Sequence, residues 1–295
     1  MPFSFHTHSG QFCHHAKGTL EEVVLEAINK GFVVFGLTEH VPRRRPVDLY
    51  PEEQHLEPAD LLSQFESFVK EARRLQTKYS SQIKLIVGAE TEFIYPEFAE
   101  ELKAIKATYE LDYFVGSLHH VFETPIDFDM EMYDIATQKA GGIERLFEGY
   151  FDAQLDLLTS IQPLVVGHFD LIRIFAPDTF ITDSIREKMI RNIDYVISYG
   201  GLFEVNSRAW KKGLKYPYPG RDIVEMILAK GGRLTISDDS HGPNDVGMHY
   251  GKLYEYLGEL NVKELYYLDY SKDNQLIVNR LDSPLDHPFW LQFLQ

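Results

Sequence analysis

The sequence predicts an α/β fold, a parallel strand-helix barrel in a single domain. Short apolar runs alternate with amphipathic helical stretches about seven times along 295 residues, the pattern of a parallel sheet covered by helices. The runs are almost wholly apolar, as strands buried on both faces are. Five of them lead into histidine-bearing motifs and a sixth into a pair of glutamates. The polar groups therefore gather at the carboxyl ends of the strands, where such barrels build their active sites.

Phe3-Ser4-Phe5 is the first strand and leads into His6-Thr7-His8. Thr19 and Glu22 read as a capping box, Val23, Val24, Ala27 and Ile28 recur at helical spacing, and Gly31 ends that helix. Residues 33–37 form the next strand and lead into Thr38-Glu39-His40. Residues 41–57, with Pro42, Pro46 and Pro51, form a long loop at the catalytic end, expected to act as a lid or substrate wall. A helix over 58–79 carries Leu61, Phe65, Phe68, Val69, Ala72 and Leu75 on one face. The strand 83–87 then leads into Glu90 and Glu92.

A shorter helix is expected over 97–109. The strand 113–118 leads into His119-His120, and a helix over 143–161 precedes Leu164-Val165-Val166-Gly167 and then His168-Phe169-Asp170. Helices near 183–199 and 221–230 flank the strand 202–205. The strand 233–236 leads into Asp238, Asp239, Ser240 and His241. A helix near 247–259 and a strand near 264–269 close the series, and the final twenty or so residues read as a packed tail. No Gly/Ser linker or low-complexity tract divides the chain, so one domain over residues 1–295 is expected.

Composition narrows the function classes. Hydrophobic residues at 44% and charged residues at 25% are ordinary for a globular protein. No apolar stretch approaches the roughly 20 residues needed to span a bilayer. His6 follows the N-terminus too closely to leave room for a signal peptide, so the cytoplasm is the expected compartment. A formal net charge of −16 opposes nucleic-acid binding, which relies on Lys and Arg against phosphates. It does not oppose a small phosphorylated metabolite, because metal ions and a few local cations can dominate a pocket. Arg43-Arg44-Arg45 is either a solvated loop or a lure for an anionic substrate at the mouth of the site. The single cysteine, Cys13, excludes an intrachain disulfide and reads as a reduced, partly buried thiol.

Imidazoles and carboxylates converging from several strand ends make a metal centre the leading expectation. Mixed nitrogen and oxygen donors suit zinc, manganese or iron. Glu90 and Glu92 alternate and both project inward, one of them as ligand and the other able to orient it. His55, His249 and His287 do not follow strand runs and read as surface or structural.

The ordered set His6-Thr7-His8, Thr38-Glu39-His40, Gly88-Ala89-Glu90, Gly116 to His120, Gly167 to Asp170 and Asp239-Ser240-His241 resembles the PHP (polymerase and histidinol phosphatase) superfamily. Residues 119–129, 167–173 and 204–207 resemble its histidinol-phosphatase branch. The resemblance implies a distorted (β/α)₇ barrel with three divalent metal ions. One would take His6, His8, Glu90 and Asp239; a second His15, His40 and His241; a third Glu90, His119 and His168. His14 competes with His15, and the small Ala16 after His15 matches the family motif.

It further implies hydrolysis of a phosphate monoester, with L-histidinol phosphate as the expected substrate. Arg173 matches a phosphate-binding arginine. The family's second arginine falls on Lys211 here, with Arg208 three residues earlier, and either could serve; the Arg43 cluster is a further candidate. The general acid is open among Asp239, His241 and His120. Glu123, Asp127, Asp129 and Tyr133 could meet the substrate's ammonium and imidazole. Rival readings are a PHP nuclease, a phosphatase for another small metabolite, and a non-catalytic metal-binding module.

Overall fold

The computed structural model describes residues 2–294. In chain order the first half comprises β1 (Phe3–Ser4), β2 (Thr7–His8), α1 (Leu20–Asn29), β3 (Val34–Leu37), α2 (Pro58–Lys78), β4 (Lys84–Val87), β5 (Ala89–Glu90), α3 (Phe98–Thr108), β6 (Phe114–Gly116), β7 (His120–Val121), β8 (Thr124–Pro125), α4 (Met130–Ala140) and α5 (Ile143–Ile161). The second half comprises β9 (Val165–Val166), α6 (Asp183–Tyr199), β10 (Leu202–Asn206), α7 (Arg221–Ala229), β11 (Arg233–Ser237), β12 (Ser240–His241), α8 (Tyr250–Glu259), β13 (Glu264–Tyr270) and β14 (Leu276–Asp282).

The fold is mixed α/β, and its parallel strands fall into three sheets. They run β1-β3-β4, β11-β10-β9-β6-β5 and β12-β2. Register is set by the apolar runs, Phe35 opposite both Ser4 and Leu85, and Val205 opposite Ile236. Phe3, Phe5, Phe35, Ile86 and Val205 have no exposure, and burying each such side chain contributes about 1.5–3 kcal/mol. Gly36 sits where a Cβ would collide with the Tyr113 hydroxyl, which instead donates to Phe5 O at 2.8 Å across the interior. That close approach ties β3 and β6 to the strand that ends in His6.

The helices begin as their sequences dictate. Glu22 N donates to Thr19 Oγ1 at 3.2 Å and Thr19 N donates to Glu22 Oε2 at 2.7 Å, the reciprocal capping box. The buried stripe of α2 is Leu61, Phe65, Phe68, Ala72 and Leu75.

Three expectations need correction. The strand at 264–270 does not extend the parallel series; β13 pairs antiparallel with β14 as a hairpin, Leu268 opposite Val278. The tail therefore contains a strand, which the mixed polarity of Leu276 to Asp282 conceals. Helix α4 was not expected, because only Tyr133 and Ala136 on it are buried and the apolar period is faint. Its signals are local: Asp129 caps it by accepting from Met132 N, and Gly141 ends it at φ 81°.

Candidate metal centre

Glu90 lies at the middle of the strand ends, as the last residue of β5 and three residues past the apolar run that ends at Val87. Five imidazoles surround its carboxylate. His6 Nε2, His119 Nε2 and His168 Nε2 stand 3.0, 3.3 and 3.0 Å from Oε1. His8 Nε2 and His40 Nδ1 stand 3.2 and 3.1 Å from Oε2. Asp239 faces the same group, its Oδ1 3.7 Å from both His6 and His8 and 3.4 Å from His241 Nδ1. Asp239 takes φ 46°, in the left-handed region that Asp tolerates better than most residues, and this turns its carboxylate inward between β11 and β12.

His15 reaches the cluster and His14 does not. The His15 ring centroid is 4.9 Å from His241 and 5.7 Å from His40, while His14 lies against His55 at 5.9 Å. The structure thus brings His6, His8, His15, His40, Glu90, His119, His168, Asp239 and His241 into one group. His120 is not in the cleft: its ring tilts against Tyr50 at 5.6 Å and its Nδ1 is 3.7 Å from Glu92. Burial pushes its imidazole down to about 3.

The donor set fits divalent cations. His6 Nε2, His8 Nε2, both His40 nitrogens and Asp239 Oδ1 are buried without a hydrogen-bond partner among the described residues. Orphaned buried polar atoms cost free energy that a cation would repay. The electrostatics agree. Burial depresses the His8 imidazole, but the Glu39 and Glu90 carboxylates outweigh it and raise it to about 9. Burial would raise Glu90, yet the surrounding imidazoles hold it well below the usual carboxylate range. His6 and His119 are likewise raised by nearby carboxylates despite their burial, whereas burial lowers His40 to about 4 and His241 well below its ordinary value.

A second layer of carboxylates fixes the rings, and of it sequence reading foresaw only the orienting partner of the Glu90–Glu92 pair. Glu204 Oε1 accepts from His6 Nδ1 at 2.8 Å, and its Oε2 accepts from His168 N at 2.8 Å. Glu39 pairs with His8 Nδ1 at 3.3 Å while accepting from Ser9 N and Ser9 Oγ. Glu52 reaches His15 Nδ1 at 3.0 Å from the proline-rich loop. Such partners choose the tautomer and aim the other ring nitrogen at the metal. Glu92 belongs here too, 3.1 Å from His40 Nδ1 and 3.0 Å from Arg43 Nη1.

An open cleft of about 320 Å³ lies over the cluster. Arg208, Lys212, Tyr50, Asp127, Phe128 and Tyr218 are among the residues that line it. Lys212 and Tyr218 were not singled out in the sequence, where the position matched after Asn206 was Lys211.

The cations expected to hold phosphate are redistributed. Arg173 is outside the cleft, its fork bidentate to Asp222 at 2.9 and 2.7 Å and its Nε 3.5 Å from Asp170. That pairing uses the geometry a phosphate would need. Arg43 is buried and bonded to Glu92 and Glu53, so it anchors the loop and draws in nothing from solvent. Lys211 is also outside the central cleft, paired with Asp245 at 2.6 Å. Arg208 alone of the four lines the cleft, its Nη1 donating to Asp239 O at 3.0 Å. Of the residues expected near the ammonium, Asp127 lines the cleft. Glu123 pairs with Arg45, Asp129 caps α4 and Tyr133 donates to Ile172 O.

The chain matches the family model described as PHP domain over residues 4–208. It is 49% identical over 279 residues to a Schizosaccharomyces pombe protein named "Probable histidinol-phosphatase", covering 92% of this chain and 91% of the relative. It is 32% identical over 334 aligned positions to the histidinol-phosphatase of Saccharomyces cerevisiae, covering 97% and 98%. Its fold resembles the solved histidinol phosphate phosphatase of Lactococcus lactis, complexed with zinc, L-histidinol and phosphate. That match has a TM-score of 0.67 at 19% identity and covers 90% of this chain and 95% of that one. Motif order, donor geometry and these relatives agree that the chain belongs to the PHP-domain family.

Proposed function

We propose that this chain hydrolyses L-histidinol phosphate to L-histidinol and inorganic phosphate, using divalent metal ions, within histidine biosynthesis. The observation that carries the reading is the mixed lining of the cleft over the Glu90 cluster. Cations Arg208 and Lys212 line it together with the carboxyl of Asp127 and the rings of Tyr50, Phe128 and Tyr218. A phosphate ester bearing an ammonium and an imidazole complements that lining. The curated relatives of high coverage carry the same activity in their names.

The residues support three cations, held as the family pattern implies: His6, His8, Glu90 and Asp239; His15, His40 and His241; Glu90, His119 and His168. Divalent ions, when bound, supply charge neutralisation at phosphate oxygens and a water acidified to near-neutral pKa. Arg208 supplies a fork of donors to the phosphate and is held in place by Asp239 O and Asp245. Asp127, with Oδ1 unpartnered among the described residues, accepts from the substrate ammonium. Tyr50 and Phe128, stacked at 5.7 Å and 15°, offer the imidazole an aromatic wall. Asp239 and His241 both line the cleft, within reach of the departing alcohol.

We further infer that the three parallel sheets are arcs of one distorted seven-stranded barrel in a single domain. The pairing of β12 with β2 and the bridge between His40 and Glu90 support the junctions. A cytoplasmic location fits the absence, among the described residues, of any helix long and apolar enough to cross a membrane.

The test is phosphate release across a panel of monoesters, with metal content measured on the same preparation. Histidinol phosphate should give the highest kcat/KM, and a chelator should abolish turnover until divalent ions are restored. A preference for a sugar phosphate or for oligonucleotide cleavage would replace the proposed substrate.

A further inference from the structure

The loop after β2 carries Cys13 back over the cluster. Its backbone is turned by Cys13 N donating to Ser9 O at 2.9 Å, and Lys17 N donates to His241 O at 2.9 Å. These bonds set the thiol inside, 5% exposed, with Sγ 3.2 Å from His15 Nε2. Sγ and one ring nitrogen each from His15, His40 and His241 all lie within 4.8 Å of one another.

The free nitrogens are identifiable from what the others do. His15 Nδ1 is tied to Glu52, and His241 Nδ1 to Asp239 O at 3.0 Å. His40 Nδ1 faces Glu90 and Glu92, and its Nε2 has no hydrogen-bond partner among the described residues. Each ring therefore turns Nε2 toward the common space. A tetrahedral zinc with its usual bond lengths separates a sulfur and a nitrogen ligand by about 3.6 Å. The observed 3.2 Å is within a small side-chain adjustment of that.

We propose that Cys13 Sγ is a fourth protein donor to the cation held by His15, His40 and His241, making this position a Cys-His₃ site selective for zinc. The proposal rests on the metal-dependent reading above and adds to it one ligand and one preference. A thiolate is a soft donor and favours zinc over manganese or magnesium, whereas the positions around Glu90 offer only nitrogen and oxygen. On binding, the sulfur–metal bond forms as the thiol proton leaves to solvent, so this position releases one proton that an all-histidine position would not.

The test uses the full chain, stripped of metal and reloaded with cobalt(II), which reports its ligands by colour. The parent protein should show an intense near-ultraviolet thiolate-to-cobalt band, absent from Cys13→Ser loaded to the same cobalt content. Zinc affinity at one position should fall at least about 10-fold in Cys13→Ser, with manganese affinity unchanged. The parent spectrum decides alone if the variant folds poorly. A cobalt-loaded parent without the band, or a band that survives in Cys13→Ser, overturns the assignment. If such a protein still binds cobalt and hydrolyses histidinol phosphate, only Cys13 has been misplaced. A chain that takes up no cobalt loses both the metal reading and this ligand.

Discussion

Replacing Glu204 by Gln tests the orienting layer without changing shape. The Glu204 carboxylate has no exposure and faces four donors: His6 Nδ1 and Ser237 Oγ at Oε1, His168 N and Asn206 Nδ2 at Oε2. An amide can be turned two ways. With its NH₂ toward His168 N and Asn206, two donors lose their acceptor, costing roughly 2–6 kcal/mol at 1–3 each. With its NH₂ toward His6, Ser237 rotates its hydroxyl to accept, and His6 accepts at Nδ1 by moving its proton to Nε2. Every bond is then made, so the second arrangement wins. Its consequence is chemical: His6 Nε2, 3.0 Å from Glu90, loses the lone pair a metal needs. Glu204→Gln should therefore leave the metal-free protein within about 1 kcal/mol of the parent while weakening metal binding by roughly 10–100-fold, or about 1.4–2.8 kcal/mol. Chelator-competition titration measures the affinity, and nitrogen chemical shifts of His6 report the tautomer. Unchanged metal affinity with several kcal/mol of lost stability would refute the reasoning, placing the amide in the first arrangement.

Glu90→Gln should cost far more activity and metal than Glu92→Gln, because five imidazoles meet Glu90 while Glu92 shares its charge with Arg43; equal losses in metal content and kcat would contradict this. Arg208→Ala should lower kcat/KM by about 10–100-fold with metal retained. Arg173→Ala should leave kcat/KM near the parent value and lower stability by about 1 kcal/mol, its partner Asp222 being half exposed. Phosphate-release kinetics and thermal melts distinguish the pair. In metal-stripped protein, His8 is raised from 6.5 to about 9, so the stability its carboxylate pairing contributes is full below pH 6.5 and lost as pH climbs to about 9. Melts of stripped protein should fall across that window, and metal-loaded protein should not follow.

Much of the centre was legible because buried parallel strands announce themselves as apolar runs, and an imidazole directly after such a run has only the strand end to occupy. His6, His8, His40, His119, His168 and His241 all follow that logic. What escaped was competition between residues distant in sequence. Arg173 has the right chemistry for phosphate, but Asp222, 49 residues on, has the first claim on its fork. Arg43 looked solvated in a run of three arginines and is instead neutralised by Glu53 and Glu92. Glu204 sits in the middle of a buried strand, where a lone carboxylate has no local signature of what it will hold. Strand β13 was read as part of the barrel series because strand propensity does not state a partner.

The pairing of β2 with β12 sets a condition on how the enzyme is made. Ser240 lies opposite Thr7 and His241 opposite His8, and Ser4 Oγ donates to Asp238 Oδ1 at 2.9 Å across 234 residues of sequence. A ribosome adding 5–20 residues per second thus exposes His6 and His8 for roughly 10–50 s before Asp239 and His241 exist. During that interval the first strand has only half its neighbours and the nascent chain has only part of its donor set. A transcript cut short before codon 239 yields a polypeptide that lacks Asp239 and His241, so truncation products cannot carry the complete centre. Assembly of the metal cluster is in this way a readout of completed translation.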